Sequence, residues 1–280
     1  MAIIVNTNMS ALKTQRNLTN ATTSLNTALE RMSTGLKINR AADDAAGMFV
    51  ANNLETQIRG SKIAQSNVAT GINVLQTVEG TLDVINDNLL RIRDLAVQGA
   101  NGVYDTKSLN AMRDEIIARM DEITRIQASA NFNGMALFTA SSTGLGKDGM
   151  TLQVGANGTA NDQIKVANTI FQTIAVTKPS DSANFTQANA QAMIATMDTA
   201  IGTVSTSKAT IGAIQNRLSS AQESLTTTIE NATAAKSTIM DADIAEESAN
   251  YTKAQILQQT SATLLVQANQ LPALAISLIQ

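Results

Sequence analysis

Hydrophobic residues recur at every seventh position in five separate stretches of this chain, and a sustained heptad lays one row of side chains along the seam of packed helices. The first row is Ile4, Ala11, Leu18, Leu25 and Met32, with Leu29 and Leu36 on the same face; it predicts an amphipathic helix over about residues 8–34, stopped near Gly35. The second row, Val68, Leu75, Leu82, Leu89 and Ala96, has Val78, Ile85 and Ile92 three positions on, a full a/d pattern. It predicts a helix over about 44–99, with Asp43 or Asp44 at its N-terminus, where a carboxylate suits unpaired N–H groups.

The third row, Leu109, Ile116, Ile123 and Ala130, implies a helix over about 106–129. The fourth, Ala190, Met197, Val204, Ile211, Leu218, Leu225 and Ala232, implies one over about 187–236, a rod of roughly 65–70 Å at 1.5 Å per residue. The fifth is Leu257, Leu264, Leu271 and Leu278, flanked four positions on by Ser261, Ala268 and Ala275, small residues that would let a partner approach closely. Four leucines at about 2 kcal/mol each offer about 8 kcal/mol of burial, realised once a partner covers the stripe. The first row is one candidate partner, and neighbouring copies of the chain are another.

Between the third and fourth rods the period drops from seven to two, the mark of strands. In "MTLQVGANGTANDQIKVAN", Leu152 and Val154 alternate, then Ile164 and Val166, around turn-forming residues; this predicts a β-hairpin near 150–168. "NFNGMALF" reads as a turn and short strand, "GLGKDG" as a loop tip, and Pro179 lies in the linker to the fourth rod. The fold class is therefore mainly α, with long heptad-patterned helices forming a terminal coiled-coil domain and a rod-like bundle, and a small β-hairpin segment within about 131–180.

Composition then removes most chemistry. The chain has no Cys, no His and no Trp, so Ser-His-Asp or Cys-His catalysis, the usual zinc sites and disulfides are closed. No catalytic residue, cofactor site or metal site is expected. The acidic pairs, Asp43 with Asp44, Asp114 with Glu115, and the run Asp241, Asp243, Glu246, Glu247, lack the spacing of a calcium loop and read as caps or solvated faces. A net charge of −3 gives no basic footprint for nucleic acid. Residues 254–280 carry no charge, yet Gln, Asn, Ser, Thr and Pro272 interrupt them, so no membrane span is expected. The start has its first charge at Lys13 and polar residues from Asn6, unlike a secretory signal.

Four motifs, in order, carry a family resemblance: "IIVNTNMSALKTQRNLTNATTSLNTALERMSTGLKINRAADDAAG", "NLLRIRDLAVQGANG", "NFNG" and "IMDADIAEESANYTKAQILQQTSATLLVQANQLPALAISLIQ". Together they resemble bacterial flagellin. The resemblance implies an extracellular structural protein with no enzymatic activity, a helical polymer of many copies that serves as the motility propeller. It also implies export through the flagellar type III apparatus, a chaperone on the C-terminal region, and contact with cap and hook-junction proteins. By motif, 1–43 with 238–280 would form an inner-tube domain and 44–237 an outer-tube rod, with no room for a large variable outer domain. The polymer-packing positions would be Ile4, Ala11, Leu18, Leu25 and Met32 with Leu257, Leu264, Leu271 and Leu278. The rod core would be Val68, Leu75, Leu82, Leu89, Met197, Val204, Ile211, Leu218 and Leu225. The family's motif for the innate immune flagellin receptor falls on Arg91, Leu95 and Glu115.

Two neighbouring readings are a hook–filament junction protein and a non-flagellar secreted coiled-coil scaffold. An enzyme carried between flagellin-like ends would need an H-E-x-x-H helix, which a chain without histidine cannot supply.

Overall fold

A computed structural model describes residues 7–139, 144–179 and 185–277. The elements in chain order are α1 (Met9–Thr34), α2 (Ala45–Gly99), α3 (Thr106–Ser129), β1 (Asn131–Phe132), β2 (Met135–Ala136), α4 (Leu145–Asp148), β3 (Met150–Gln153), β4 (Gln163–Val166), α5 (Gln187–Met240) and α6 (Ile244–Ser277). The chain divides into two compact units, residues 1–56 with 230–280 and residues 57–229. Both long helices, α2 and α5, contribute to each.

Local signals account for the helix ends. The Asn8 side chain accepts the Ala11 N–H at 3.0 Å, and α1 closes on Gly35 at φ 72°, whose N–H donates to the Arg31 carbonyl. That left-handed backbone suits a residue without Cβ. Asp44 receives the Gly47 N–H at 2.9 Å at the head of α2, Asp105 the Ser108 N–H at 3.0 Å at α3, and Asp243 the Ala245 N–H at 2.8 Å at α6. The acidic pairs holding Asp44 and Asp243 thus act as caps.

In the first unit α1 and α6 run antiparallel. Asn8 faces Ala268, Thr22 faces Gln258 and Arg31 faces Glu247. At the linker end the two strands of chain are tied by backbone bonds, Lys37 N–H to the Met240 carbonyl at 2.6 Å and Ala242 N–H to the Gly35 carbonyl at 2.9 Å.

In the second unit the a/d seam of α2 is fully enclosed. Val68, Leu75, Val78, Leu82, Ile85, Leu89 and Ile92 are buried against Met197, Val204, Ile211 and Leu218 of α5 and Ile116, Met120 and Ile123 of α3, in one continuous core. α2 and α5 are antiparallel, linked along their flanks by Arg93 to Asp198 at 2.6 Å, Lys208 to Asp83, and Gln215 to Glu79 at 3.0 Å. The two ion pairs are largely exposed and contribute little each; the enclosed seam dominates.

The strands complete this core. β3 and β4 pair antiparallel with Leu152 opposite Ile164, and β1 and β2 close around Asn133 (φ 50°) and Gly134 (φ 79°), a tight turn that needs two left-handed residues. The β3–β4 hairpin approaches α2 so closely that a Cβ at Gly71 would stand 2.4 Å from Leu152 Cδ1, and one at Gly60 2.8 Å from Ala156 Cβ. Glycine inside a helix is less favourable than alanine by about 1 kcal/mol; here it makes room for the hairpin. Two expectations change. α5 runs to Met240, beyond the predicted 236, since nothing after Ala232 breaks a helix. Leu145–Asp148 of the expected loop tip forms one helical turn, the short α4.

A candidate assembly surface on the terminal helix pair

The seam between α1 and α6 is built from small residues. Ala21 and Ala28 of α1 meet Ala254, Ser261 and Ala268 of α6, all buried. These are the positions that flank the leucine row in the sequence. Small side chains let two backbones approach closely, and a leucine in the seam would hold them apart. Hydrogen bonds fix the register of this shallow seam: Arg31 Nη1 donates to Glu247 Oε1 at 3.0 Å, Gln258 Nε2 to Thr22 Oγ1 at 3.1 Å, and Asn8 Nδ2 to the Ala268 carbonyl at 2.7 Å.

Leu257 and Leu264 therefore do not form the intramolecular seam, and of the two candidate partners for their row α1 leaves them half open. Leu257 is 48% exposed and Leu264 50% exposed, with Ile256 and Val266 also open on α6. Leu257 and Leu264 line one side of a groove of about 740 Å³ between the two helices, with Asn17, Asn20 and Ser24 across it. Of the first row, Ala11, Leu18, Leu25 and Met32 are half-buried beside the seam. Ile4, Leu278 and the side chain of Leu271 lie outside the described residues.

The other predicted positions fall in the second unit. Val68, Leu75, Leu82, Leu89, Met197, Val204, Ile211, Leu218 and Leu225 are all buried in its core. Arg91 Nη2 reaches Glu115 Oε1 at 3.4 Å, and Arg119 reaches the same carboxylate at 3.2 Å. Leu95 is separated from that surface pair, because it is 4% exposed and packed into the core.

Ser261 and Ala268, expected from the sequence to admit a close partner, lie in the seam; the periodicity did not say that α1 is that partner, nor mark Gly60 and Gly71 as approach points. The spacing of Ala254, Ser261 and Ala268 was the available signal for the first. For the glycines, it was their position deep inside a helical pattern.

Among the described residues no cluster of His, Cys, Asp and Glu could hold a metal ion, and no helix is long and apolar enough to cross a membrane. Two carboxylates have clear electrostatic settings. Backbone N–H groups of Arg40 and Asn39 hold Asp43 below the ordinary 3.8, and the Ser108 hydroxyl and N–H do the same for Asp105. Folding thus favours their charged forms, so their stabilisation is present above the ordinary aspartate value and is lost as pH falls through the lower folded values. Exchanging Asp43 for Asn is expected to reduce the loss of urea resistance between pH 7 and pH 3; an unchanged loss would remove Asp43 from that acid response.

The family model described as the bacterial flagellin N-terminal helical region matches residues 5–143, and the one described as the bacterial flagellin C-terminal helical region matches residues 194–279. A flagellar filament 30.7 kDa core protein of Treponema maltophilum is 36% identical over 274 residues, covering 95% of this chain and 96% of that one. A flagellin of Xenorhabdus nematophila is 36% identical over 318 residues, covering all of both chains. The crystal structure of Bacillus cereus flagellin is 30% identical, covers 57% of this chain and 88% of that one, and aligns with a TM-score of 0.48. With both family regions matched and full-length relatives at this identity, the chain belongs to the bacterial flagellins, structural subunits of the extracellular flagellar filament and not enzymes.

Proposed function

We propose that this flagellin polymerises by burying the open leucine face of α6, together with the half-covered row of α1, against the terminal helices of neighbouring copies. The observation that carries this reading is the half-exposure of Leu257 and Leu264 on a helix whose small-residue stripe is already occupied by α1. Its seam within the chain is satisfied, so the remaining apolar face is left for other chains. A head-to-tail contact that does not close generates an open helical polymer, the form a propeller requires.

In this reading residues 1–43 with 238–280 build the inner tube and 44–237 the outer rod, whose enclosed core transmits torque. The absence of charge over 254–280 suits such packing, because a helical polymer would repeat any unpaired buried charge in every copy. The family membership supports, as further partners, the type III export apparatus, a chaperone on the C-terminal region, and the cap and hook-junction proteins. It also supports contact of the Arg91 and Glu115 surface with the host innate immune flagellin receptor. Full-length likeness to a filament core protein favours the filament over the hook junction. The test is elongation of sheared filament seeds by the chain with and without residues 254–280, followed by electron microscopy.

A further inference from the structure

The terminal helix pair is electrically polar along its length. From residue 8 to 29 and from 249 to 277 it carries Lys13, Arg16 and Lys253 and no Asp or Glu. Lys13 and Arg16 are exposed on α1 beside Met9, 55% exposed, and Leu12, 59% exposed, and these side chains line one shallow surface groove. Among the described residues neither cation has a carboxylate partner.

The linker end of the same unit has the opposite character. Asp44, Asp241, Asp243 and Glu246 are exposed there and, among the described residues, make no ion pair; Glu30 is already held by Arg40 and Glu247 by Arg31. Among the described residues Arg31, Arg40 and Lys236 of this region are held in ion pairs, and Lys37 is in none. Three exposed apolar side chains lie on the adjoining helix starts, Phe49, 68% exposed, and Val50 in the first turns of α2 and Ile244 at the head of α6. One end therefore offers two cations around two apolar side chains, and the other offers carboxylates with three.

We infer that the Met9, Leu12, Lys13, Arg16 face of one copy docks on the Phe49, Ile244, Asp241, Glu246 end of the next copy. This contact deepens the polymer reading and rests on it. Opposite charges here steer the encounter and set polarity, since like ends repel. The apolar residues supply the burial. The occupant is a second copy because the complementary patches lie toward opposite ends of one helix pair, where no single chain can join them.

The contact predicts a complementation. A full chain with Lys13→Glu and Arg16→Glu has two acidic ends, and one with Asp241→Lys and Glu246→Lys has two basic ends. Each alone is expected to elongate wild-type seeds at least tenfold more slowly than wild type, while both retain wild-type helical circular dichroism as monomers. An equimolar mixture restores elongation, because each copy then meets an opposite charge. Normal elongation by either single variant, or a mixture no faster than its components, would overturn the inference. If the chain lacking 254–280 is inert while the Lys13→Glu, Arg16→Glu chain elongates normally, the head-to-tail contact alone falls. If the truncated chain elongates, the polymer reading falls with it.

Discussion

The chain lacking residues 254–280 is expected to remain monomeric when added to sheared filament seeds, under conditions in which the full chain elongates them. Truncation also removes the partner of α1, so a second variant isolates the leucine face: Leu257→Gln with Leu264→Gln, which leaves Ala254, Ser261 and Ala268 in the seam. The helix pair should then form as before. Each leucine is about half exposed in the single chain, which leaves about 1 kcal/mol of further burial per leucine to be gained from neighbours. Losing about 2 kcal/mol per added copy raises the critical concentration for elongation about 30-fold. Elongation by the truncated chain, or a critical concentration unchanged in the double variant, would remove the leucine face from assembly.

The second large effect concerns the rod. Leu82 is completely enclosed between α2 and α5, with Leu75 and Leu89 a heptad away on either side. Leu82→Ala removes buried methyl groups and leaves a void that helices held by continuous packing above and below cannot close. The expected loss is about 3 kcal/mol, or about 6–12 °C in the midpoint of thermal unfolding for a unit of this size. Val103→Ala, at a site open to water, is the control and should leave the midpoint in place. A shift for Leu82→Ala no greater than that of the control would mean that the heptad seam does not hold the rod.

Much of this architecture was legible in the residue pattern, for reasons specific to long helices. α1, α2 and α3 begin and end within a residue of the predicted bounds, since Gly35, Gly99, Asp44 and Asp105 are stop and start signals adjoining unbroken heptads. The β3–β4 hairpin followed from the alternation of Leu152, Val154, Ile164 and Val166. What the pattern left open was which of two faces of α6, the leucine row or the small-residue stripe beside it, meets α1. Hydrophobicity ranks Leu257 and Leu264 above Ala254 and Ser261, and burial energy alone leaves open whether α1 or a neighbouring copy covers the leucines. The structure buries the small residues, because close backbone approach and the hydrogen bonds at Arg31, Thr22 and Asn8 fix the register there. The same limit hid Gly60 and Gly71, whose role depends on where a hairpin distant in sequence comes to rest. The receptor motif shows it again: Arg91 and Glu115 meet at the surface, while Leu95 turns into the core.

The absence of cysteine allows the assembly surface to be probed one position at a time. Leu257→Cys and Leu264→Cys chains, labelled with a small maleimide as monomers and again after elongation from seeds, report directly on the open face of α6. Rapid labelling in the monomer and strong protection in the filament is the result predicted by burial against neighbouring copies. Equal labelling rates in monomer and filament would contradict it.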